Sequence, residues 1–285
     1  MNTPYHLMIH SLLTRFHKED ANSLFKFFAS EDESELSKTH VPQKPPVLQI
    51  TEGLSNIHYS WLPPFLAKYP INLKNLIISS LPSSLLAGIT KLAKPPIKKI
   101  PLSPFARFFF LKYFYQEWLP EDVVAIEFLE ENPLNTLLHL TKLQLVSLVD
   151  FLGIQDLSID LRKVVDKKTL DILKNLLSAH QKQYLDYCLK RADVPPVKPE
   201  PVQYWMQSKE KLALLIHQKG LARLAHALLG QNSHLIWHII HRLDIGRGKE
   251  LTKCLDSPTD IPKKLSSQIT SEVLDLVKLL NKGKE

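Results

Sequence analysis

The sequence predicts an all-α protein: several short helices in stacked, helical-repeat-like modules joined by Pro-rich linkers. Three observations carry this reading. Apolar residues recur at i, i+3 and i+4 through most of the chain, the spacing of one helix face. No run of about four to eight residues alternates polar and apolar side chains as a half-buried strand would. The 20 prolines fall in clusters, which a continuous sheet does not tolerate and which suit stiff connectors.

Taken in order, residues 5–29 carry Leu7, Ile9, Leu12, Leu13, Phe16, Leu24, Phe27 and Phe28 near a helical period, enough for one or two short helices. Residues 30–47 are acidic and then Pro-rich. No apolar stripe runs through them, and Pro42, Pro45 and Pro46 block helix continuation, so an exposed linker closes a first segment, 1–47. A small helical subdomain, 48–104, follows on the stripe Leu73, Leu76, Ile77, Ile78 and then Leu85, Leu86, Ile89, Leu92. It stops at the prolines of 94–104.

The central module, 105–192, begins with FARFFFLKYFYQEW. Phe105, Phe108, Phe109, Phe110, Tyr113 and Phe114 there fit either a buried central helix or an aromatic docking surface for a partner or a membrane interface. Pro120-Glu121-Asp122 opens a further helix with first-turn residues, and short helices are expected at 133–140, 142–152, 167–178 and 180–191. Residues 192–201 hold four prolines and mark a boundary in extended polyproline conformation. The C-terminal module, 202–285, carries stripes at Leu212, Leu215, Ile216, at Leu221, Leu224, Leu228, and at Leu235, Ile236, Ile239, Ile240, Leu243. A last helix is expected over about residues 266–280, ending in a Lys-rich tail.

Composition narrows function. Only 8 of 285 residues are glycine, and neither G-x-G-x-x-G nor G-x-x-x-x-G-K-[ST] occurs, which argues against nucleotide enzymes. No G-x-S-x-G elbow, H-E-x-x-H or C-x-x-C is present, so no catalytic residue, cofactor or metal is expected. The two cysteines, Cys188 and Cys254, fit a reducing compartment. The first residues make a poor secretory signal, since no Lys or Arg precedes a short apolar run that His10 interrupts, and no apolar run is long enough to span a bilayer. A cytoplasmic protein is expected, or one held at the inner face of a membrane through its partners. The net charge of +7 permits nucleic acid or an acidic partner without choosing between them. The Lys and Arg residues are dispersed among 29 acids, and RLDIGRGKELTK with Lys263, Lys264, Lys278, Lys282 and Lys284 is the stretch most able to track phosphates.

One cluster invites a ligand. His234, His238 and His241 fall within about 60° of one another on a helix, a spacing able to chelate zinc, and His217 and His226 lie a little upstream, but no carboxylate within the helix accompanies them. The apolar Leu235, Ile236, Ile239, Ile240 and Leu243 take the opposite side, so the histidines are expected to look outward as a polar face. The same face could bind a partner, with Trp237 and Arg242 as anchors.

Residues 120–152, PEDVVAIEFLEENPLNTLLHLTKLQLVSLVDFLG, resemble the middle-domain unit of the flagellar rotor switch protein FliG. That family opens a helix with an E-x-P-Q-T-type turn and follows it with Leu-rich helices. Glu131-Asn132-Pro133-Leu134-Asn135-Thr136 stands at the turn here, with Leu134 and Asn135 where the family has Gln, and Leu137, Leu138, Leu140, Leu143, Leu145, Leu148 and Leu152 follow. Residues 212–255 resemble the same family's later repeats more weakly. In general character the chain is also similar to the SctK family, cytosolic spokes of the type III secretion sorting platform. These resemblances imply a non-catalytic adaptor in a membrane-associated protein assembly, with no small-molecule substrate. Glu131, Asn132 and Pro133 would form a partner-binding turn.

Overall fold

The computed structural model describes residues 4–16, 20–28, 32, 34, 36, 46–92, 99–120, 123–162, 166–190, 205, 208–256 and 263–282. The chain is all-α: the described residues form helices and the turns between them, and no strand occurs among them. They group into two units, 1–132 with 233–238, and 133–232 with 239–285.

The first unit contains α1 (Pro4–Phe16), α2 (Ala21–Phe25), α3 (Pro46–Ser55), α4 (Leu62–Leu66), α5 (Ile71–Ser80), α6 (Ser83–Leu92) and α7 (Pro104–Trp118). The start of α7 is written locally: Ser103 accepts the Ala106 amide at 3.2 Å, and Pro104 takes the first turn, where a missing N–H costs nothing. Leu111 and Phe114 of α7 enter one core with Leu54, Leu62, Leu66, Ile77, Leu85 and Ile89. The proline stretch ending at 104 therefore does not separate two cores. Phe65 sets its edge against Phe114 and Trp118, at ring-centroid distances of 5.5 and 4.9 Å. The opposite side of α7 stays in solvent, so the aromatic run serves the core with one face and leaves Phe105 and Phe109 outside.

Two expectations for this unit are corrected. Asp32, Ser34 and Leu36 are helical, and Leu36 is fully buried against Phe25, with Ile9, Leu13 and Phe28 around them. An apolar side chain that finds a cluster outweighs the polar stretch around it, so 30–47 is not wholly an exposed linker. Beyond Pro120, Val123 to Ala125 form no helix and only a 3₁₀ turn, Ile126–Phe128, follows. The Val124 carbonyl accepts a side-chain hydrogen bond instead of a helical one. Glu121, Asp122 and the expected boundary at 192–201 lie outside the described residues.

The second unit opens with a 3₁₀ turn, Pro133–His139, and continues with α8 (Lys142–Leu161), α9 (Lys167–Leu176), α10 (Ala179–Leu189) and α11 (Lys209–Leu228). α12 (Ser233–Arg242) gives residues 233–238 to the first unit and 239–242 to the second; α13 (Ile245–Asp256) and α14 (Lys263–Lys282) complete it. Capping boxes start α8 and α10: Thr141 with Gln144, and Ser178 with Gln181. α8 runs well past the expected end at 152 because Gly153 marks a helix crossing and not a break.

Candidate functional site

A group of paired charged side chains lies where α8 and α11 cross in the second unit. A Cβ placed on Gly153 would sit 1.9 Å from the Ile216 carbonyl oxygen, and one on Gly220 1.8 Å from that of Val149. Two backbones therefore touch through paired glycines, which only the absence of side chains allows. One turn before the glycines, His217 meets Asp150 at 2.5 Å; one turn after them, Arg223 donates to Asp156. Both pairs are 67 residues apart in sequence, so α8 and α11 run parallel in a single register. The sequence frames are Asp150-x-x-Gly153-x-x-Asp156 and His217-x-x-Gly220-x-x-Arg223.

Other helices close each end. Arg247 of α13 donates its Nε–H to His217 Nε2 at 2.7 Å, so His217 holds its proton on Nδ1 and gives it to Asp150. Arg247 also reaches Asp244. Both ring nitrogens of His217 are thereby engaged, and the Asp–His pair ties α8 and α11 to α13. At the other end Glu272 of α14 accepts from Arg223 Nε at 3.0 Å and from its terminal nitrogen at 2.7 Å. Arg223 is wholly buried, at 0% exposure. Burial pulls its pKa down, but Asp156 and Glu272 outweigh that and hold it above the ordinary value. For Asp156 the balance tips the other way: burial lifts the carboxyl to about 6 against the pull of Arg223 and Lys219.

Further polar groups in the same half of α8 and just beyond it make hydrogen bonds to neighbouring segments. Gln155 donates to the Tyr184 hydroxyl at 3.0 Å, Trp205 Nε1–H donates to Asp160 at 3.1 Å, and Arg162 donates to the Cys188 carbonyl at 2.6 Å. Burial pushes the Tyr184 hydroxyl far above its usual range. These groups lock helices in register.

The residues singled out in the sequence fall in three places. Glu131 is exposed, Asn132 half-buried and Pro133 exposed; the turn that follows buries Leu134, Leu137 and Leu138 and presents Thr136 and His139. His234 and His241 are half-buried. The expectation of an outward histidine face fails at His238, which is buried and donates Nε2–H to the Val124 carbonyl at 2.8 Å. Trp237 packs on the aromatic core of the first unit, and its ring meets His238 edge to face. Arg242 is buried too, donates to the Leu140 carbonyl, and has its pKa lowered by that burial. Backbone carbonyls outside the helical ladder need donors, and His238 and Arg242 supply them. Of the α12 residues expected on a partner face, His238 and Arg242 are buried and His234, Trp237 and His241 half-buried.

Arg242 and Arg247, counted among possible phosphate contacts, are engaged inside the second unit, and Lys253 and Lys278 pair with Glu250 and Asp275 one turn away. No protein-family model matches the chain, and neither does any curated protein or solved structure. Asp150, Asp156, Arg223 and Glu272 escaped the sequence reading, and His217, noted there only as a neighbour of the α12 histidines, pairs with Asp150 instead. The matching three-residue spacings about Gly153 and Gly220 were the signal for Asp150, Asp156, His217 and Arg223; Glu272 left none.

Proposed function

We propose that this chain is a non-catalytic helical adaptor that joins protein components of a secretion or rotor assembly and is held at a membrane's inner face by its partners. One observation carries the reading. The Pro133–His139 turn buries its leucines and offers Pro133, Thr136 and His139, with Glu130 and Glu131 exposed just before it. The resemblance to the rotor switch family expects a partner-binding turn at these positions. The second unit supports the same reading, since its charged side chains are spent on fixing shape, as a scaffold requires. Among the described residues no helix is long and apolar enough to cross a membrane, in keeping with attachment through other molecules.

The test is affinity purification from the native cell in mild salt, with mass spectrometry of what is retained, using the wild-type chain and a Glu131→Lys/Pro133→Ala variant. Secretion or rotor components at near-integer ratios, lost in the variant, support the adaptor. Nuclease-sensitive recovery of nucleic-acid-bound proteins, unchanged in the variant, would replace it with a nucleic-acid-binding function.

A further inference from the structure

The first unit carries a surface that the adaptor reading leaves unused. Between Glu52 and Glu117 the chain has no Asp or Glu at all, while eight lysines and arginines fall in those 64 residues. Such a stretch is far from the mixed charge of the rest of the chain, which has 29 acids. It also exposes large apolar side chains: Phe105 is 78% exposed and Phe109 56%, and Ile71 and Leu92 stand in solvent as well.

On α7 these features share one face. Phe105, Phe109, Lys112 and Gln116 follow at i, i+4, i+7 and i+11, within about 60° of one another at 100° per residue. All four are exposed, whereas Leu111 and Phe114 on the opposite side fill the core. Lys99 and Arg107 are exposed near the start of the helix, and Lys91 lies exposed beside Leu92 at the end of α6. The helix is held rigidly beneath: Ser103 caps it, and Arg107 donates Nε–H to the Ser80 carbonyl at 3.3 Å. Two phenylalanine rings are thus presented on a fixed support with Lys112 on the same face, and the one carboxylate of α7, Glu117, is paired with Lys68.

From this charge complementarity we infer that the outer face of α7 binds directly to an anionic lipid surface, Phe105 and Phe109 entering the headgroup region while Lys112 on the same face and the exposed Lys99 before the helix meet acidic headgroups. The pattern is that of an interfacial helix, which pairs buried apolar area with basic residues. A lipid surface fits better than a nucleic acid, because the segment's Trp61, Tyr113, Tyr115 and Trp118, which could stack on bases, pack against the core instead. Such contact would hold the chain at a membrane without any protein partner.

The experiment is co-sedimentation of the purified full-length chain with vesicles of phosphatidylcholine alone or with about one-third phosphatidylserine. Binding is expected only to the anionic vesicles, and it weakens as salt is raised. Phe105→Asp/Phe109→Asp should lower affinity about tenfold or more, and Lys99→Glu/Lys112→Glu at least about fivefold. Because these side chains are exposed, both variants keep the wild-type circular dichroism and melting temperature. Leu143→Asp, at a residue 82% exposed in the second unit, leaves vesicle binding unchanged. The inference is overturned if anionic vesicles do not bind, if Phe105→Asp/Phe109→Asp binds as the wild type does, or if only a single-stranded oligonucleotide is retained. None of those outcomes bears on partner capture through the 131–139 turn.

Discussion

The two units both bury an apolar core but differ in what they add to it. The first is held by rings and aliphatic chains: Phe65, Phe114 and Trp118 interlock, with Leu54, Leu62 and Ile77 around them. The second brings α8 and α11 into backbone contact at Gly153 and Gly220 and flanks the contact with Asp150–His217 and Asp156–Arg223. An apolar core of the first kind tolerates repacking, because one hydrocarbon replaces another at modest cost. A glycine crossing with charged pairs on either side permits one register only, since a shift would leave buried charges without partners. The first unit trades uniqueness for tolerance, and the second does the reverse.

Glycine substitutions should break the comparison open most sharply. Gly220→Ala places a methyl against backbone that cannot move aside, and its cost should exceed about 4 kcal/mol in urea unfolding. Gly88→Ala in the first unit meets side-chain atoms of Tyr59, Cδ1 and Cγ at 2.3 Å and Cβ at 2.9 Å, and no backbone, so a smaller loss of about 1–3 kcal/mol is expected. Equal losses would mean that the second unit's backbone contact is softer than its geometry implies.

Next come Arg223→Ala and Phe114→Ala, each expected to remove about 3–5 kcal/mol but with different pH behaviour. Without Arg223, Asp156 is buried with less to hold its charge and protonates more readily when folded. The deficit of Arg223→Ala should therefore shrink as pH falls from 7 to 5, and that of Phe114→Ala should not. Hydrogen exchange read by mass spectrometry would assign each loss to its unit.

A smaller effect follows from Asp156 itself. Its folded pKa of about 6 lies above the ordinary 3.8, so its contribution is fully present below about pH 4 and is lost as pH rises through 6. Wild-type stability measured against Asp156→Asn should decline across that window; a rising difference would reverse the assignment. Smallest are Thr141→Ala, about 1 kcal/mol from the lost capping box, and Leu143→Ser, within about 0.5 kcal/mol at a solvent-facing site.

The same contrast explains what the sequence made legible. Helix starts at Ser103-Pro104 and Thr141-x-x-Gln144 are spelled in adjacent residues, and the apolar stripes of α5, α6 and α7 repeat at a period any window can see. The all-α class follows from such local terms. Partners 67 residues apart do not, and Gly153 read alone looks like the end of a helix. His238 misled for a related reason. The apolar residues of α12 define one buried side, but a carbonyl at Val124, 114 positions away, draws the histidine inside as well.

The offset between α8 and α11 also has a meaning for synthesis. Asp150 and Asp156 emerge 67 residues ahead of His217 and Arg223, a wait of about 3–13 s at ordinary elongation rates of 5–20 residues per second. Through that interval the face of α8 that later lies against α11 is open to the cell. A leucine face of the same size would offer other nascent chains a surface to adhere to, whereas two ionised carboxylates are well hydrated and repel their like. Asp150 and Asp156 thus set two charges among the leucines and valines of a helix face that waits for its partner.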